Sequence, residues 1–219
     1  MGSVTIAATY GAGGSVVAPA VAEKLELPLI DRAIPVSLAT RMAEPLRGAL
    51  AHDEWQHSNR VIRILARAID LSGLHVNVPV PHEGLGADET VAITEEALRQ
   101  AADRGGAVVL GRAGVFVLAG RTDTLHVRLD GPPAARRRQA VRHEVITEEV
   151  AASQQRDTDR ARSAYVRQFY PRERWEDPAN YHLVIDSTVV SLDVCVELIV
   201  SAARDLFARA ADPEPKATA

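Results

Sequence analysis

Apolar residues recur along this chain in two alternating patterns. Short runs of aliphatic and β-branched residues stand at Val4–Ala8, Leu27–Ile30, Ala107–Leu110, Thr124–Leu129 and His182–Ile185. Each is the length of a strand, and Val4–Ala8 and Ala107–Leu110 are apolar enough for both faces to be covered. Between them the spacing becomes helical. Val17, Ala20, Val21 and Leu25 share one face, as do Trp55, Val61, Ile62, Leu65, Ala68 and Ile69. Near the end, Leu192, Cys195, Ile199, Ala202 and Leu206 do the same. Asp88 reads as the N-cap of a helix to about Arg104, closed by Gly105-Gly106. A helix is expected over about 112–119, and Pro132-Pro133 opens another that carries Arg136, Arg137, Arg138 and Arg142. That arginine run reads as a solvated helix face. Residues 33–52 are helical but irregular, 74–87 are a loop rich in Pro and Gly, and Arg174–Pro178 is an irregular turn. Strand and helix alternate without an internal repeat, so the expected architecture is a three-layer α/β domain on a parallel sheet.

The first strand runs directly into Gly11-Ala12-Gly13-Gly14-Ser15, and the first helix follows at once. Strand, glycine loop, helix is the layout of a phosphate cradle. Glycines let backbone N–H groups close round an anion, and a helix start adds N–H groups and the positive end of its dipole. The loop by itself also reads as a plain tight turn. Aligned on Gly13, Ser15 takes the last position of the G-x-x-x-x-G-K-[ST] pattern, but Gly14 stands at the lysine and Ala8 at the first glycine. Asp31 ends the second strand, where it faces a ligand crevice or caps a helix.

Composition narrows the chemistry. Of 219 residues, 47% are hydrophobic and only 4% aromatic, which suits a core of Ala, Val, Leu and Ile. The net charge of −4 makes no case for nucleic acid or an anionic membrane as partner. No apolar stretch approaches membrane-spanning length, and Met1-Gly2-Ser3 leads straight into a strand, so a cytoplasmic protein without a signal peptide is expected. The single Cys195 excludes an internal disulfide and reads as a buried structural thiol. His75 and His82 lack acidic or thiol partners at ligand spacing and are not read as a metal site. The only lysines, Lys24 and Lys216, are poorly placed to reach the loop, so arginine must supply positive charge to any phosphates there.

Five segments in order then resemble one family: Val4–Ser15, Leu29-Ile30-Asp31-Arg32, Gly111-Arg112, Arg156–Arg162 and Leu183-Val184-Ile185-Asp186-Ser187-Thr188. From about residue 4 to 207 the chain resembles the cytidylate kinase-like family of P-loop nucleoside monophosphate kinases. Tyr10-Gly11-x-Gly13-Gly14 and Trp175-x-Asp177-Pro178 resemble a divergent branch without the P-loop lysine. The resemblance implies a P-loop NTPase fold with a five-stranded parallel sheet. It implies one domain over 1–211 with a monophosphate-binding helical insert at about 33–104 and a lid at about 153–178, and the polar run Asp212–Ala219 reads from its composition as a disordered tail. It implies that Gly11, Ala12, Gly13, Gly14 and Ser15 hold ATP, with the Ser15 hydroxyl on Mg2+. Asp31 and Arg112 would line the monophosphate site, and Asp186 would contact the acceptor's ribose or base. Arg156, Arg160 and Arg162 would be catalytic lid arginines that close over the transferring group, and their spacing of four and two on one helix is read as letting them point partly into one cleft.

The implied activity is ATP- and magnesium-dependent phosphoryl transfer to a nucleoside monophosphate, CMP or dCMP foremost. The alternatives are a nucleotide-binding sensor without turnover and a kinase of another small molecule. Gly14 removes the expected lysine, and Ala113 stands where better-known cytidylate kinases carry an Asp. The expected partners are nucleotides, not nucleic acid or membrane, and a homodimer is left open.

Overall fold

In a computed structural model of the protein, which describes residues 2–31, 87–111 and 113–212, five strands form one parallel sheet. They are β1 (Ser3–Ala8), β2 (Leu29–Asp31), β3 (Val108–Leu110), β4 (Thr124–Asp130) and β5 (Leu183–Asp186), in the order β2-β3-β1-β4-β5. β1 lies in the middle, with Ile6 opposite Leu110 on one side and Val127 on the other. The described helices are α1 (Gly14–Leu25), α2 (Ala87–Arg104), α3 (Gly114–Val117), α4 (Pro133–Glu144), α5 (Glu148–Phe169) and α6 (Leu192–Ala211).

Period-two alternation decides which layer each strand residue joins. Val4 and Ile6 of β1, Val108 and Leu110 of β3, and Leu125, Val127 and Leu129 of β4 pack against α1 and α6. The opposite face of the sheet is covered by α2 and α3, through Leu98, Ala102, Val109 and Leu118. On β4 that second face is polar: His126 and Arg128 are both buried there. Cys195 of α6 is fully buried in the α1–α6 layer, its Sγ 3.7 Å from the Val190 carbonyl. Burial pushes its thiol pKa up. No described helix is long and apolar enough to cross a membrane.

The five expected strands are present, each within two residues of its expected bounds. Asp88 lies inside the first turn of α2 rather than before it, and α3 is shorter than expected. The arginine-bearing helix stops at Glu144, because Val145 takes a left-handed φ of 55°. α5 then starts afresh, with the Thr147 side chain accepting from the Val150 N–H. Asp177 does the same for Ala179 at a short 3-10 turn, where Pro178 supplies the fixed φ. Most of the expected insert, with His75 and His82, lies outside the described residues, as do Arg112 and the tail from 213.

Candidate functional site

The loop between β1 and α1 is built by two residues that must be glycine. Gly11 and Gly13 have φ of 76° and 78°. A Cβ on Gly11 would fall 2.3 Å from the Arg136 carbonyl oxygen, and one on Gly13 would fall 2.5 Å from Leu192. Gly13 caps α1 with its carbonyl, which accepts from Val16 and Val17, and no side chain caps that end. The first-turn N–H groups of Gly14 and Ser15 have no carbonyl four residues back within the helix, so they suit an anion.

Polar groups from three other elements hold the loop. From α4, buried Arg136 donates through Nη1 to the Tyr10 carbonyl (2.7 Å) and to Asp159 Oδ2 (2.9 Å), and through Nε to the Gly131 carbonyl (2.9 Å). Gln139 donates to the Gly11 carbonyl at 3.0 Å. From α5, Asp159 Oδ1 accepts the Tyr10 N–H at 3.0 Å. From the turn before α6, Ser187 Oγ donates to the Ala12 carbonyl at 2.8 Å.

The loop opens on a cleft of about 240 Å³. Its floor is the end of β1 and the loop, with Gly13, Gly14 and Ser15. Gly111, Ala113 and Gly114 line it after β3, and Thr94, Glu95 and Leu98 line it from α2. Arg162, Tyr165, Tyr170 and Trp175 close the remaining side. Arg162 is buried and donates to the Ala8 carbonyl. Tyr170 donates to Glu95 at 2.6 Å, and burial together with that carboxylate pushes its phenol pKa up.

Behind Trp175, the buried Arg128 guanidinium sits 4.4 Å over the indole and donates to the Trp175 carbonyl at 2.8 Å. Arg128 also pairs with Asp130 at 2.6 Å. Burial works against the Asp130 carboxylate, but the Arg128 charge together with hydrogen bonds from Arg128, the Gly131 N–H and Thr9 outweighs it, so its pKa lies below the usual range. Asp130 in turn accepts from Thr9 at 2.8 Å, just before the loop.

The expected site residues divide on this geometry. Gly11, Gly13, Gly14, Ser15 and Arg162 line the cleft; Ala12 is buried beneath it. Arg156 and Arg160 are exposed and do not line it. They lie four residues apart and share a face, whereas Arg162 stands about 200° further round α5 than Arg160. The three do not converge. Asp31 and Asp186 end the two edge strands of the sheet, about 19 Å apart at ordinary strand spacing. One small acceptor cannot touch both. Asp186 instead accepts from the Thr188 N–H and hydroxyl, at 2.9 and 2.6 Å.

The arginine run is also not simply a solvated face, since Arg136 is buried in the loop's support. Sequence reasoning missed Arg136, Gln139 and Asp159. One signal was present: α4 (PAARRRQAVRHE) has almost no apolar face, so it can dock only through polar groups.

Ser15 is a described residue that could hold a magnesium ion. One hydroxyl in the first turn of α1, lining the cleft, suits an ion that keeps several waters and takes its other ligands from phosphates.

Known structures share this architecture. An uncharacterized protein from Eubacterium ventriosum aligns over 93% of this chain and 99% of its own, at 17% identity and a TM-score of 0.61. A gluconokinase from Sinorhizobium meliloti aligns over 98% of both chains, at 15% identity and a TM-score of 0.50. Among curated proteins there is no match. The cytidylate kinase-like family model matches residues 3–189, a span that holds all five strands, the glycine loop and the cleft-lining part of α5, and the chain belongs to that family.

Proposed function

We propose that the protein transfers the γ-phosphoryl group of ATP, with magnesium, to a nucleoside monophosphate, CMP or dCMP foremost. The observation that carries this reading is the meeting of the glycine loop and a buried arginine in one cleft. In such a transfer an oxygen of the acceptor phosphate attacks the γ-phosphorus, the bond to ADP breaks, and a nucleoside diphosphate leaves. Little covalent help is needed; positioning and positive charge on the transferring oxygens supply most of the rate. The loop N–H groups would hold the donor phosphates, and Arg162 would supply fixed charge that burial does not remove. Ser15 would hold magnesium, which neutralises phosphate charge and orients the donor. The aromatic side of the cleft, with Tyr165 and Tyr170, offers flat apolar surface to a base.

A second reading is a nucleotide sensor that keeps the cradle without turnover, favoured by the lack of a side chain at Gly14. One experiment separates the two. ATP–magnesium is incubated with each common nucleoside monophosphate, and diphosphate formation is followed beside the thermal midpoint. The kinase reading expects a diphosphate from CMP or dCMP and a raised midpoint with ATP, because a ligand of the folded state stabilises it by mass action. Gly13→Val should abolish the ATP-dependent rise. A raised midpoint with no diphosphate from any acceptor rules out a nucleoside monophosphate kinase and leaves the sensor or a kinase of another small molecule, and no rise with any triphosphate refutes both readings.

A further inference from the structure

Gly14 differs from its neighbours Gly11 and Gly13. It has no left-handed φ, since it is the first residue of α1. Its backbone would accept a side chain. What refuses one is Ala8: a Cβ on residue 14 would fall 2.6 Å from the Ala8 Cβ. The next contact, Leu110 Cδ1 at 3.2 Å, is the movable end of a flexible side chain. Ala8 and Gly14 are therefore complementary. The two departures from G-x-x-x-x-G-K-[ST], alanine at the first glycine and glycine at the lysine, are one steric exchange. The same residue 8 is where a cation arrives by another route. Arg162 reaches across from α5, is buried, and donates to the Ala8 carbonyl. Ala8, Gly14 and Arg162 all line the cleft.

We propose that Arg162 is the resident cation of the phosphate loop, supplied from α5 in place of a lysine on α1, and that the Ala8 methyl with Gly14 is the matching half of that exchange. The proposal rests on the reading of the loop as a triphosphate site. It replaces the expectation of arginines that arrive only when a lid closes, because this one already sits against β1. The geometry also separates Arg162 from Arg156 and Arg160, whose exposed face of α5 carries no such contact.

The test is calorimetric titration of the full chain with ATP–magnesium. Arg162→Met keeps the length of the side chain and removes its charge. It should weaken binding about ten- to hundredfold, the scale of a lost charge-assisted hydrogen bond. Adding A8G and G14K to R162M should return affinity to within about threefold of wild type. Adding G14K alone should not, because the Ala8 methyl still blocks the position. A purely structural Arg162 would not be rescued by a lysine on a different helix.

If R162M does not fold, the triple variant decides. Recovery of both the thermal midpoint and ATP binding supports the proposal, and a triple variant as unfolded as R162M overturns it. A folded R162M that binds ATP like wild type overturns the proposal and leaves the functional reading standing. Wild-type protein that binds no triphosphate overturns the functional reading, and this proposal with it.

Discussion

His126 shows how a single side chain can be held in one protonation state. It lies on the polar face of β4, with Nδ1 2.8 Å from the Thr5 hydroxyl and its ring stacked on His182 at 5.1 Å. Burial, then the neighbouring His182 charge, pushes its pKa from 6.5 down to about 4. The neutral ring fits this geometry, in which Nδ1 shares a hydrogen bond with the uncharged Thr5 hydroxyl. The folded-state pKa is depressed, so between 6.5 and about 4 the unfolded chain binds the proton and the folded chain resists it. Stability should be fully present above 6.5 and should fall with pH through that window, by about 3 kcal/mol in all. Urea unfolding at a series of pH values measures this slope. His126→Gln should flatten it, and an unchanged slope in that variant would clear His126 of the effect. The sequence shows a histidine inside an apolar strand but not its partners. Those come from β1 and from the turn before β5, residues far away in the chain.

Between elements, the decisive contact is the latch that Arg136 and Asp159 make across α4, the loop and α5. Their 2.9 Å ion pair has a side chain 7% exposed on the arginine and 25% on the aspartate. Removing one partner leaves the other charge in a poorly solvated place. Arg136→Met should therefore cost about 3 kcal/mol in urea unfolding at neutral pH, the scale of a broken buried pair. Exposed Arg138→Met, two residues on, should stay within about 0.5 kcal/mol. Equal effects from the two would show that the latch carries no special weight.

This contrast marks where the sequence stops being legible. The strands were readable because both faces of Val4–Ala8 and Ala107–Leu110 are covered, and the turn between β1 and α1 was readable from its glycines, though not whether it holds a phosphate. Arg136 was not, because Arg136, Arg137 and Arg138 look alike until packing chooses one. The separation of Asp31 from Asp186 was hidden for another reason: chain order does not state strand order. The divergence of Arg162 from Arg160 could have been drawn from helix geometry alone, since two residues span more than half a turn.

At the scale of the whole molecule, the loop is tied to distant parts of the chain. Thr9 is joined to β4, Tyr10 to α4 and α5, Ala12 to Ser187, and Gly13 packs on Leu192 of α6. A ligand that tightens the loop therefore tightens the start of α6 as well. Three residues beyond Leu192 lies Cys195, fully buried and the chain's single cysteine. A native protein with one sealed thiol carries its own reporter of opening. A thiol reagent can reach Cys195 only when α6 lifts from the sheet, so the labelling rate reads the free energy of that local event. Labelling in native buffer should be slow and should speed up with low urea. Saturating ATP–magnesium should slow it, because the bound loop holds Leu192 and Ser187 in place. Fast labelling without denaturant would mean that α6 breathes freely, and a rate indifferent to ATP would mean that the loop and α6 open independently.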